Sequence, residues 1–152
     1  MRLRKTAALA VLVTLGQAGQ AQDSGLKIFV LEGEGAFNNV KRRVGRDPVV
    51  EVRDDSGRPV AGAAVSFTLP ISGAGGTFLN GSRTFATTTD EQGRAASKGL
   101  KPNFTEGRFN IHVIASANGK GASAVISQSN TLAGGSIAGA QAGGRGDRKS
   151  VV

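Results

Sequence analysis

Cysteine, tryptophan and tyrosine are all missing from this 152-residue chain, and histidine occurs once. Without cysteine there is no disulfide, no thiolate metal ligand and no cysteine-linked lipid anchor, so the fold must hold by packing alone. Without tryptophan or tyrosine, and with phenylalanines that fall mostly on core-facing positions, the stacking platform of a single-strand nucleic-acid binder is missing. The lone His112 cannot build a multi-histidine metal site. As the base of a Ser-His-Asp triad it would need supporting loops that the sequence does not display. We therefore expect no enzyme activity, no cofactor and no metal. Helical periodicity is also absent: apolar residues nowhere hold a three-four spacing long enough for a helix.

What is present begins with charge. The chain carries 19 basic and 11 acidic residues, a formal net charge of +8. Arg2, Arg4 and Lys5 precede an apolar run over residues 6–15, and "GQAGQA" follows with small residues at Gly19 and Ala21. A charged start, a short apolar middle and a small-residue cleavage site define a secretory signal peptide over residues 1–21, cut after Ala21. The run is too short to span a bilayer comfortably, and no other segment reads as transmembrane. The expected location is periplasmic, cell-surface or extracellular. Removing three basic residues and no acidic ones lowers the charge to +5. Such a charge is compatible with anionic partners and diagnostic of none.

The body, residues 22–130, alternates. "AAVSFTL" sets Ala63, Val65, Phe67 and Leu69 on one face, and "RFNIHVIAS" does the same with Phe109, Ile111, Val113 and Ala115. A period of two with β-branched and aromatic residues predicts half-buried strands. His112 then belongs on the outer face. Asn80-Gly81 and Asn118-Gly119 read as the centres of tight hairpins in which both residues take positive φ. Strands are predicted over 26–31, 48–53, 63–69, 77–79, 83–89, 95–98, 108–116 and 122–129. Seven or eight short strands in about a hundred residues predict an all-β, two-sheet antiparallel sandwich.

Over most of residues 49–129 the pattern resembles the bacterial immunoglobulin-like domains of invasin and intimin type adhesins. The matching elements are "VVEVRD", a turn ending in glycine, "PVAGAAVSF", "GAGGTF", the "TTTDEQGRA" corner and a long closing strand. The resemblance implies an immunoglobulin-like sandwich without a catalytic centre, used in large adhesins as a rigid spacer. It carries no functional residue over to this chain. Two departures are the charged first connection "EGEGAFNNVKRRVGR" and the single copy.

Several clusters have both a chemical and a structural reading. Asp54-Asp55 and Asp90-Glu91 are paired carboxylates, yet each opens a corner ("RDDSGRP", "TDEQGRA") with the composition of an aspartate-capped turn, and turns are expected. Asn80-Gly81-Ser82 and Asn103-Phe104-Thr105 match the N-glycosylation pattern and are also read as turns. "SGAGG" at residues 72–76 precedes no helix that would complete a phosphate cradle, so it reads as a loop crossing between sheets. Lys41, Arg42, Arg43 and Arg46 form the densest positive run, in a loop before the 48–53 strand, and are the candidate polyanion-binding residues.

Residues 131–152 turn to glycine and alanine, a composition expected to form a flexible tail. The terminal "DRKSVV" equals one frame of a common sequencing adapter, GAT CGG AAG AGC GTC GTG TAG. We read residues 147–152 as adapter-encoded and the reading frame as truncated. Arg145-Gly146-Asp147, an integrin-type tripeptide, is then a junction product.

The expected function is that of an exported, non-catalytic immunoglobulin-like module with a structural, spacer or adhesive role at the bacterial cell envelope. Its expected partner is a protein or an envelope glycan rather than nucleic acid. The alternatives are an anionic glycan or nucleic-acid binding module acting through Lys41, Arg42, Arg43 and Arg46, and an accessory domain of a carbohydrate-active or peptide-processing enzyme.

Overall fold

The computed structural model of the chain describes residues 25–132. The expected signal peptide, the Arg-Gly-Asp tripeptide and the adapter-like end lie outside these residues. Among the described residues there is no helix, and ten strands appear: β1 (Leu26–Glu32), β2 (Ala36–Asn39), β3 (Val49–Asp54), β4 (Ala64–Thr68), β5 (Gly76–Thr77), β6 (Thr84–Thr88), β7 (Arg94–Ala96), β8 (Lys101–Pro102), β9 (Gly107–Ala117) and β10 (Lys120–Thr131).

They form a three-stranded sheet β1-β3-β7, a five-stranded sheet β2-β10-β9-β4-β6, and a small ribbon β5-β8. The eight predicted strands all appear, with ends shifted by one or a few residues. The two extra strands are β2 and β8, so the count is ten rather than seven or eight. In β2 the inward residue is the polar Asn38, and β8 is two residues long with a proline, so neither shows an apolar alternation. Pairing is antiparallel except for β2, which lies parallel to β10. The body also runs slightly past residue 130, because Thr131 still pairs with Asn39.

One apolar cluster joins the two principal sheets. Val50, Val52 and Ala95 come from the three-stranded sheet, and Val65, Phe67, Ile111, Val113 and Ile126 from the five-stranded one. All are buried. Val65, Phe67, Ile111 and Val113 belong to the predicted inward rows, and the cluster gives the chain a β-sandwich-like all-β fold. Each valine, isoleucine or phenylalanine among them contributes roughly 1.5–3 kcal/mol when fully buried.

The corners follow the aspartate grammar. Asp54 Oδ1 accepts the amides of Ser56 and Arg58, both at 2.9 Å, and Gly57 N donates to the Asp54 carbonyl at 3.0 Å. Asp90 repeats the motif with Gln92 at 2.9 Å, Arg94 at 3.0 Å and Gly93 at 2.9 Å. At the β9-β10 hairpin Asn118 and Gly119 both have positive φ, 53° and 77°, as predicted. At Asn80-Gly81 only Gly81 does. The loop there is the longer form in which Gly81 N donates to Phe78 O and Phe78 N to Ser82 O, each at 2.8 Å. Asn80 instead uses its side chain, accepting from Ser82 N at 2.9 Å and donating to Thr84 O at 3.1 Å.

The Asp54 carboxylate is held below the ordinary aspartate value of 3.8, first by the hydrogen bond from the Arg58 amide and then by those from Ser56 and the Arg58 charge, against some desolvation. A group whose folded pKa is depressed contributes stability that is present above its unfolded pKa and lost as pH falls through the folded one. Asp54→Asn keeps the turn-forming oxygen without the charge. It should therefore lower stability at pH 7, where the carboxylate contributes, with the deficit against the parent shrinking as pH falls below about 4, read as urea midpoints at pH 7 and pH 3.

Candidate functional site

Buried amide side chains inside the sandwich are committed to one another and to nearby backbone. Asn38, Gln128 and Asn130 are buried together. Asn38 Nδ2 donates to Gln128 Oε1 at 2.9 Å and to Asn130 Oδ1 at 3.3 Å, while Asn38 Oδ1 accepts from Arg46 N at 2.9 Å. Gln128 Nε2 donates to the carbonyls of Gly33 (3.1 Å) and Arg46 (3.0 Å). Asn130 Nδ2 reaches Gly75 O at 2.9 Å, and Asn103 Oδ1 and Thr105 O at 3.1 Å. One amide network thus pins β2, the connection after it, and the loops on either side of the β5-β8 ribbon. Asp47 ties that connection to another loop, accepting from Ser97 Oγ (3.1 Å), Gly99 N (3.0 Å) and Leu100 N (2.8 Å).

The four candidate cations sit on this pinned connection, which closes on itself through paired Asn39 and Val44. Lys41, Arg42 and Arg46 are exposed. Arg42 and Arg46 share a depression of about 290 Å³ with Phe37, Asn39, Val44 and Gly45. Arg43 is not with them. Its backbone is left-handed (φ 56°), its Nε donates to Pro102 O at 2.7 Å, and its guanidinium lies 4.3 Å from the centroid of the Phe104 ring. Arg43 instead lines a second depression, of about 200 Å³, with Ile71, Thr77, Arg83, Lys101 and Asn103.

The run of four cations is therefore divided between two places. Arg83 and Lys101 carry no sequence signal as partners of Arg43: they lie 40 and 58 positions away, and only the register of the β5-β8 ribbon and the start of β6 gathers them. Asn103 is committed to turn chemistry as expected. Its Oδ1 accepts from Thr105 N at 3.1 Å and Gly75 N at 3.3 Å, and its Nδ2 donates to Gly73 O at 2.9 Å. His112 is exposed, opposite Val125 and Thr68 on the outer face of the five-stranded sheet.

Neither a protein-family model, nor a curated protein, nor a solved structure matches the chain. The class that fold and site define is an all-β, sandwich-like protein whose loops carry two separate basic depressions.

Proposed function

We propose that the chain is an exported immunoglobulin-like module that acts without catalysis as a spacer or interaction domain at the bacterial cell envelope. The observation that carries this reading is the path of the chain. β1 pairs with β3 in one sheet, and the next strand, β2, joins the other sheet parallel to the last strand, β10. The order β10-β9-β4 in one sheet and β3-β7 in the other supports the immunoglobulin-like reading, since it is comparable to the G-F-C over B-E arrangement of such sandwiches. The destination of the carboxylates supports the non-catalytic role: Asp47, Asp54 and Asp90 each accept backbone amides at loops and corners. The charged start and apolar run of residues 1–15 support export.

Fractionation of cells expressing the epitope-tagged chain tests this. The processed protein should be recovered from the envelope or medium and should bind isolated envelopes. Recovery as an unprocessed cytosolic protein with no envelope affinity would remove the reading.

The depression shared by Arg42 and Arg46 favours a second reading, weak polyanion binding in which Lys41 contributes from the same loop. Arg43, anchored on Pro102 and Phe104, takes no part in it.

A further inference from the structure

The second depression gathers three cations where the first has two. Arg43, Arg83 and Lys101 converge on about 200 Å³ from three distant stretches of chain, and no acidic side chain lines it. Among the described residues none of the three takes part in an ion pair. Arg43 is fixed at two points, by the Pro102 carbonyl and by the Phe104 ring, and its terminal nitrogens have no hydrogen bond among the described residues. A guanidinium immobilised in this way loses little freedom on meeting a ligand. Like charges gathered in a concavity repel one another and raise the local concentration of anions. The amide of Asn103 is already engaged with Gly73, Gly75, Thr105 and Asn130, so the hydrogen-bonding capacity left in the lining is mainly cationic donors. Beside these donors stands apolar surface: Ile71, in the lining, is 82% exposed, and Phe104, beneath the Arg43 guanidinium, is 72% exposed.

We propose that this depression binds a phosphate or sulfate ester group carried by a molecule with an apolar portion. The three cations hold the oxyanion, and Ile71 and Phe104 contact its carrier. The site involves neither Arg42 nor Arg46, and it stands whether or not the chain is a spacer.

The test uses the full chain and two double variants that each remove two exposed positive charges, Arg83→Gln/Lys101→Gln and Arg42→Gln/Arg46→Gln. Inorganic phosphate and sulfate are titrated at constant ionic strength while backbone amide shifts are followed. Saturable shifts should centre on Thr77, Lys101 and Asn103. The affinity read at these amides should fall roughly tenfold or more in Arg83→Gln/Lys101→Gln and stay unchanged in Arg42→Gln/Arg46→Gln, whose side chains line the other depression. Co-sedimentation with phosphatidylcholine vesicles, with and without phosphatidylglycerol, identifies the source of the anion. Retention only on the anionic vesicles, lost in Arg83→Gln/Lys101→Gln, assigns a lipid headgroup. Binding of the free ions without vesicle retention assigns a soluble ester. Absence of saturable shifts, or equal weakening by the two variants, overturns the site and leaves only diffuse charge.

Discussion

Gln128→Leu is expected to lower the unfolding free energy by about 3 kcal/mol, because it leaves one buried and one part-buried carbonyl without their donor at roughly 1–3 kcal/mol each. Leucine fills much the same space, so the loss comes from hydrogen bonds and little from a cavity. Gln128 is 1% exposed, and its amide serves Gly33 O and Arg46 O on one side and Asn38 Nδ2 on the other. Asn130→Leu should cost a similar amount, since Gly75 O and Thr105 O lose the same kind of donor. The two substitutions share Asn38 as a partner, so the double variant should lose less than the sum of the singles. Urea unfolding of the four proteins reads these differences as shifts in midpoint. Single losses below about 1 kcal/mol would mean that water replaces the amides and that the network does not set the loop positions.

That network also explains which parts of the structure were open to inference from the amino-acid order. Burial of Val65, Phe67, Ile111 and Val113 follows from alternation, because a strand with one face in the core must place apolar residues two apart. The Asp54 and Asp90 corners follow from local chemistry, since an aspartate two and four residues before free amides closes its own turn. β2 follows from neither rule. Its inward residue is Asn38, made acceptable there only by Gln128 and Asn130, some ninety positions later. The same limit governs the cations. Adjacency in sequence groups Arg43 with Arg42, but left-handed backbone and the Pro102 carbonyl turn it toward Arg83 and Lys101 instead. The integrin-type tripeptide and the adapter reading concern residues outside the described ones.

Gly93→Ala is expected to cost about 3 kcal/mol, whereas Gly57→Ala, at the same place in the other corner, should cost only about 1 kcal/mol. The two glycines have similar backbone angles, φ 76° and 85°, so the penalty for placing an L side chain in the left-handed region is common to both. Their surroundings differ. A Cβ on Gly57 would meet nothing within 4 Å. A Cβ on Gly93 would lie 2.7 Å from Val52 O and 2.9 Å from Pro59 Cβ. Val52 cannot yield easily: its N–H donates to Gly93 O at 2.7 Å, and its carbonyl accepts from Val60 N at 2.9 Å. Relieving the clash therefore separates the Asp90 corner from the central strand of the three-stranded sheet, where Val50 and Val52 are fully buried. The difference between the two variants isolates that contact from backbone strain, since strain cancels in the comparison. In urea unfolding at pH 7 the Gly93→Ala midpoint should fall well below that of Gly57→Ala. Equal midpoints would show that the corner moves freely and that the close seating of Gly93 on β3 contributes nothing to stability.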